Sequence, residues 1–322
     1  MMNFRTRSAG ARQMVPVTLC LGSAILLVIS ASCGRVSSDD AWEHVTAGAN
    51  HTCALDSDGK AVCWGCQVFD DGDNEAEQLE TMPGCEGPDD PDETFTALDA
   101  YGAGVTGIAT TGEIVAWGTD RCTQWTVDEG VDVVKAVRSV AITSDQSILS
   151  NCGEEVHGGQ YIDLGTNGGS TCGLRVDGII ECWEESESED DTGVSDAPAG
   201  VFEQISIAGA TACALDDTGA IQCWGCAGSD VRDRGQCTTT EGQFVQVSAG
   251  SYHACAVDDS GSVDCWGDDQ YGQASPPSGT FTMVAAGAYH TCGLRDDGHI
   301  VCWGCGNTAL YRGHNYGQCS PP

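Results

Sequence analysis

From residue 42 onward the chain alternates hydrophobic and polar positions in short runs, and Asp and Gly break the runs. Residues 244–267 read FVQVSAGSYHACAVDDSGSVDCWG, and residues 281–304 read FTMVAAGAYHTCGLRDDGHIVCWG. Alternation with period two on both sides of a hinge such as Val257-Asp258-Asp259-Ser260-Gly261 predicts strand, tight turn and strand. Successive side chains of a strand face opposite ways, and Gly accepts the positive φ that tight turns ask for. The template is an aromatic residue, Ala-Gly near offset 5, Cys at 11, Gly at 17, Cys at 21 and Trp at 22. It recurs from Trp42, Phe95, Tyr161, Phe202, Phe244 and Phe281, and a diverged seventh copy lies between Val131 and Cys152, visible through Ala141-Ile142 and Ile148.

Each copy is therefore a small antiparallel sheet, and one such sheet cannot cover both of its faces. Copies of about 40 residues must pack face to face, and radial packing makes a β-propeller. The predicted fold is all-β: a seven-bladed propeller in one domain, residues 42–322, with repeats starting near 42, 95, 131, 161, 202, 244 and 281. The segment YGQASPPSGTFT at 271–282 leads into an aromatic strand, while the last residues read YGQCSPP. The N-terminal strand from Trp42 is accordingly expected to continue the last blade and leave no open edge, giving a monomer.

The pattern AGxxHTCAL, DxxG, CWG and YGQ resembles the repeats of the regulator of chromosome condensation family. Ala47-Gly48, His51, Leu55, Gly59, Trp64 and Gly65 carry it in the first copy, and Ala286-Gly287, His290, Leu294, Gly298, Trp303, Gly304 and Gly317-Gln318 in the last. The resemblance implies a seven-bladed propeller. It implies function only as protein binding, because relatives include a guanine-nucleotide exchange factor on chromatin and a secreted inhibitor of β-lactamase.

The 20 cysteines follow the repeat. Five copies hold both hairpin positions: Cys53 with Cys63, Cys172 with Cys182, Cys213 with Cys223, Cys255 with Cys265 and Cys292 with Cys302. The diverged copies change both together, to Thr106 with Ala116 and Val140 with Ser150, as a bonded pair requires. Opposed strand positions lie within disulfide reach. A second set, Cys66, Cys226 and Cys305, has later partners Cys85, Cys237 and Cys319, and the copy with Asp268 and Ala274 lacks both members. The CxxC spacing is thus two adjacent staples; a redox centre lacks its βαβ context, and an oxidising compartment disfavours zinc. Cys122 and Cys152 remain and are paired with each other.

Residues 1–32 read as a signal peptide: Arg5, Arg7 and Arg12, the apolar run Met14 to Ile29, then small residues. ISASC places Cys33 where a bacterial lipoprotein carries its lipid, so residues 33–41 are an anchor and short linker. Gly34 after it points to outer-membrane sorting; the alternative is cleavage near Ser32 and a secreted soluble protein. Glycine, at 43 residues against 9 prolines, marks tight turns rather than a low-complexity linker. Removing residues 1–32 takes three arginines and no acid, moving the net charge from −35 to −38. That field excludes nucleic acid, which needs Lys and Arg against phosphate, and restricts membrane attachment to the acyl chains. A protein partner of the envelope or the exterior, with a basic surface, is favoured.

Signatures of chemistry are thin: GxSxG, HExxH, GxxxxGK[ST] and GxGxxG opening a helix are all missing, and no cofactor is implied. His51, His253 and His290 share offset 9, which assigns them a hydrogen-bonding role in the blade turn over catalysis or a three-histidine metal site. Acidic runs from Asp70, Asp89 and Glu184 fall between repeats, and Asp71, Asp73 and Glu75 are calcium candidates. The expected function is a non-enzymatic, lipid-anchored binding scaffold, an inhibitor being one version. The alternative is an exported hydrolase or lyase with loop carboxylates at the propeller face, marked by one carboxyl whose pKa burial raises.

Overall fold

The computed structural model describes residues 41–65, 87–88, 92–118, 125, 131–150, 158–184, 192–226, 233–305 and 318–322. Among these described residues, twenty-one strands form seven antiparallel three-stranded sheets, each in sequence order. The first three blades are β1 (Trp42–Ala47), β2 (Thr52–Asp56) and β3 (Ala61–Trp64); β4 (Phe95–Tyr101), β5 (Gly104–Ala109) and β6 (Ile114–Gly118); β7 (Val133–Val137), β8 (Val140–Thr143) and β9 (Ile148–Ser150). The fourth and fifth are β10 (Tyr161–Thr166), β11 (Ser170–Arg175) and β12 (Ile180–Glu184); β13 (Phe202–Ala208), β14 (Thr211–Asp216) and β15 (Ile221–Gly225). The last two are β16 (Phe244–Ala249), β17 (His253–Asp258) and β18 (Val263–Gly267); β19 (Phe281–Ala286), β20 (His290–Arg295) and β21 (Ile300–Gly304). The all-β, disulfide-stapled propeller read from the repeats is the architecture observed.

The hinge between second and third strands shows why Asp and Gly stand there. In the first blade the Asp56 carboxylate accepts from the amides of Asp58 and Lys60, the Gly59 amide donates to the Asp56 carbonyl, and Gly59 sits at φ 79°. Asp216 and Asp258 repeat the arrangement. The pair Asp56/Lys60 is hydrogen-bonded, so alternation makes Cys53/Cys63 a non-hydrogen-bonded pair, the kind in which Cα atoms approach most closely. All five hairpin disulfides lie at such pairs, with Cα–Cα distances of 4.0–4.1 Å. Thr106 with Ala116 and Val140 with Ser150 face each other at the same register in the diverged blades.

Neighbouring blades share the core. Leu174 and Ile180 of the fourth blade pack with Phe202, Ile205 and Trp224 of the fifth. Leu55 of the first packs with Phe95, Leu98 and Trp117 of the second. Within a blade the offset-0 aromatic and the offset-22 Trp meet, Phe95 with Trp117 at 5.6 Å and Phe281 with Trp303 at 5.9 Å.

The connectors before the last three blades seat on the blade that follows. Trp224 Nε1 donates to the Val194 carbonyl, Trp266 Nε1 to that of Gln236 and Trp303 Nε1 to that of Gln273. The series ends with Trp64 Nε1 donating to Gln318 O, so the C-terminal segment lies on the first blade. Gln236, Gln273 and Gln318 are fully buried. The described pairing of β1 is with β2, and Trp42 reaches the last blade by donating its amide to the Gly298 carbonyl. Loop disulfides Cys226–Cys237 and Cys305–Cys319 tie two connectors to their own blades. Cys33, Cys66, Cys85, Cys122, Cys152, Asp71, Asp73 and Glu75 lie outside the described residues.

Gly65, after the first Trp, has φ 98°, and a Cβ there would stand 2.6 Å from the Gln318 Cα. Gly112, at φ 88°, has open space around the same position. Gly65→Ala should lower unfolding free energy by about 2 kcal/mol or more, and Gly112→Ala by about 1 kcal/mol, since only the first adds overpacking to backbone strain. Urea denaturation of the oxidised chain checks the difference.

Candidate functional site: the central channel

The first strand of every blade faces the middle of the ring, and together they enclose a cavity of ≈ 440 Å³. Its wall is mostly small or hydroxyl-bearing, including Ala47, Ala249, Ala286, Ser206 and Ser248. All seven sheets carry the same bulge at the start of the first strand, between Trp42 and His44 in the first blade. In the fourth, fifth and sixth blades the polar side chain at offset 2 spans the seam. Gln204 Oε1 accepts from the Val247 amide, Gln246 Oε1 from that of Val284, and Asp163 Oδ2 from that of Ile205. Two places further on, the hydroxyls of Thr46, Ser206 and Ser248 accept from Ala100, Ala249 and Ala286 of the next blade.

Blades two to four break this neutral scheme with a charged cluster. Lys135 donates to Asp163 across the third seam, and Asp99 stands on the other side. The lysine side chain is 32% exposed, but the space it meets is the channel interior, so both ions remain poorly solvated. Burial pushes the Asp99 carboxyl up to about 6, Lys135 opposing and Asp163 adding to the rise. Burial works against the Lys135 ammonium, yet Asp163 and Asp99 outweigh it and its pKa lies above the ordinary lysine value. His44 is held below the ordinary histidine value, first by burial and then by the Lys135 charge. A carboxyl poised near neutrality beside an ammonium can bind a cation or hold a proton.

Sequence reasoning missed this cluster. A signal existed: Lys135 is one of two lysines in the chain, and it occupies an inward strand position. The carboxyl with the raised pKa belongs to a strand, where the enzyme reading had looked to loops.

The repeated histidines lie nearby and are buried. His290 Nε2 is 2.9 Å from Thr52 Oγ1, and His253 Nε2 is 2.7 Å from Thr291 Oγ1, so each imidazole reaches the following blade. Thr291 Oγ1 donates to the Gln273 carbonyl, which makes it the acceptor for a proton on His253 Nε2. His51 finds Val105 where a threonine would continue the series, and its Nε2 has no partner. A Cβ on Gly48, Gly250 or Gly287 would strike the ring of His51, His253 or His290, which explains Ala-Gly three residues ahead of each histidine. Burial lowers His51 and His253 to about 4 and His290 to about 3. Among the described residues no group of three His, Cys, Asp or Glu could hold a metal ion.

A family model for the regulator of chromosome condensation (RCC1) repeat matches residues 42–70, 244–273 and 282–309. No curated protein matches the chain. Among solved structures, the CRINKLY WD40 ectodomain of the Arabidopsis thaliana receptor kinase ACR4 is similar at TM-score 0.61 and 18% identity, covering 84% of this chain and 98% of that one. The ectodomain of the Physcomitrella patens receptor kinase CR4 gives 0.61 and 20%, covering 82% and 74%. Human WBSCR16 gives 0.60 and 15%, covering 82% and 89%. These likenesses support the propeller fold.

Two outcomes follow from the buried charges. Between about pH 6.5 and 4 the unfolded chain holds protons on His51, His253 and His290 that the folded chain does not, so stability falls as pH drops through that window. Asp99 acts in the opposite sense between 6 and 3.8, because there the folded chain binds the extra proton. Three histidines outnumber one aspartate, and thermal melts should show a net loss on acidification, of up to about 1.4 kcal/mol per pH unit for each uncompensated histidine. Lys135→Met should cost about 2 to 4 kcal/mol by leaving Asp163 and Asp99 without their cation, and adding Asp99→Asn should return part of it in denaturant titrations.

Proposed function

We propose that this chain, built on regulator of chromosome condensation repeats, is a non-enzymatic binding scaffold of the cell envelope, anchored by lipid on Cys33 and displaying its propeller to a protein partner. The observation that carries the reading is the structural use of the groups most suited to chemistry. All fourteen described cysteines are in disulfides, and His253 and His290 are spent on seams between blades. Such staples belong to an oxidising compartment. No helix among the described residues is long and apolar enough to cross a membrane. Acyl chains on Cys33 would supply the attachment, with the outer membrane as the site and a secreted soluble form as the alternative. A ring of −38 favours a partner with a basic surface, and inhibition is one outcome of such binding.

A second reading has one observation in its favour. Asp99, raised to about 6 beside Lys135 in a cavity, is the group that an exported hydrolase or lyase would use as a general acid. Turnover in glycosidase, esterase or polysaccharide lyase panels that disappears in Asp99→Asn would establish it.

Labelled palmitate should enter the wild-type chain and not Cys33→Ser, which should move from the membrane fraction to the soluble one. The mature protein should retain one saturable envelope protein whose capture weakens as salt rises, because screening removes the attraction. Silence in capture together with turnover in the panels would overturn the scaffold reading.

A further inference from the structure

Three tyrosines gather on one face of the last two blades. Tyr252 and Tyr289 occupy the turns between the first and second strands, and their rings stack at 5.5 Å. Tyr271, from the connector between these blades, meets Tyr289 edge-on at 5.5 Å. All three are half-buried. The adjoining turn residues Ser251 and Ala288 line the channel, so the tyrosines stand beside its mouth.

The turn positions are particular to these two blades: offset 8 holds Asn50, Ala103, Gly169 and Ala210 in other copies, whereas Tyr271 belongs to the connector's YGQ, which recurs at 316–318 and reads RGQ at 234–236. The stacked pair Tyr252 and Tyr289 is thus extra to what blade packing uses in the other copies. Burial, then the neighbouring Tyr252, hold the Tyr289 hydroxyl at about 12, so this ring is neutral and its face keeps its negative quadrupole. Carboxylates border it. Asp268 acts on Tyr289 and Asp269 on His253, and Asp269 is exposed. Asp268 stands where other copies have the loop-disulfide cysteines Cys226 and Cys305, so this connector has a charge in place of a staple.

Ring faces edged by carboxylates attract a cation, and tyrosine gives contact area at small entropic cost. We propose that Tyr252, Tyr271 and Tyr289, with Asp268 and Asp269, form a docking surface for an extended basic segment of a partner protein, an arginine or lysine side chain lying against the rings. The assignment rests on the scaffold reading and adds to it the face used and the chemistry of the partner's segment.

The probe is the blocked pentapeptide glycyl-arginyl-prolyl-arginyl-glycine amide, titrated into the oxidised mature chain with ¹³C-labelled tyrosine rings. Saturable shifts should appear at Tyr252, Tyr271 and Tyr289, and the citrulline analogue, equal in shape without the charge, should produce none. Tyr252→Ala with Tyr289→Ala should weaken binding about tenfold or more, while Tyr252→Phe with Tyr289→Phe should stay within about twofold. Asp269→Asn should weaken it, and Asp264→Asn, which removes an equal exposed charge near the start of β18, should not. Equal loss in the two Asn variants, shifts that miss the three rings, or unchanged affinity in the folded double-alanine variant would overturn the proposal. Should the double-alanine chain fail to fold, the wild-type ring shifts and the two Asn variants decide. An envelope protein retained equally by wild type and the double-alanine variant would sink this face and leave the scaffold reading standing; a wild-type chain that binds neither peptide nor envelope protein would sink both.

Discussion

A three-stranded sheet has two faces and covers neither, so the stability of this molecule depends on how firmly one blade seats against the next. The seat is built from a tryptophan, a glycine and the loop that arrives from the preceding copy. The indole nitrogen donates to a carbonyl in that loop, and the glycine after the tryptophan lets the loop backbone approach where any Cβ would collide. Because Gln318 makes this contact with Trp64, the same seat that joins consecutive blades also joins the last to the first. Hydrophobic burial supplies the driving force, but it is non-directional; the indole bond fixes where each blade stops.

Around that seat, polar groups are used to bind seams rather than to react. Imidazoles reach hydroxyls of the following blade, side-chain amides at the bulge grip the next inner strand, and cysteines close five of the hairpins at the register where Cα atoms already lie nearest. The one departure is the Lys135 cluster, in the part of the ring where the repeats have diverged and hairpin disulfides are missing. There an ion pair replaces the amide that ties later seams. The mouth of the channel differs in another way, with tyrosines at offset 8 of two turns where the first, second, fourth and fifth blades hold small or short polar residues.

Much of this was legible in the sequence because repeats act as controls on one another. Joint loss of cysteine at positions 106 and 116, and at 140 and 150, identifies a cross-strand pair from sequence alone, since bonded partners are lost together. The offset shared by His51, His253 and His290 likewise points to a structural role, and a threonine at the next offset of the following blade is what His253 and His290 reach. What recurs once cannot be read that way. Asp99, Lys135 and Asp163 sit in different blades at offsets 2 and 4, and only the ring brings them together. Within the described residues β1 pairs with β2 and Trp42 donates its amide to the Gly298 carbonyl of the last blade, while Gln318 takes the place on Trp64 that Gln236 and Gln273 take on theirs. Sequence showed the part, and geometry showed which tryptophan receives it.

The account stands on cysteines that serve as staples and on no CxxC that closes upon itself. A peptide map of the oxidised chain, cut without reductant by a protease that cleaves after aromatic residues and leucine and read by mass spectrometry, tests this directly, because Trp224 and Trp303 stand between the cysteines of each CxxC. The expected result is Cys302 joined to Cys292 and Cys305 joined to Cys319, with the matching pattern at Cys213, Cys223, Cys226 and Cys237. A bridge from Cys302 to Cys305 or from Cys223 to Cys226, or free thiols at these positions, would contradict it.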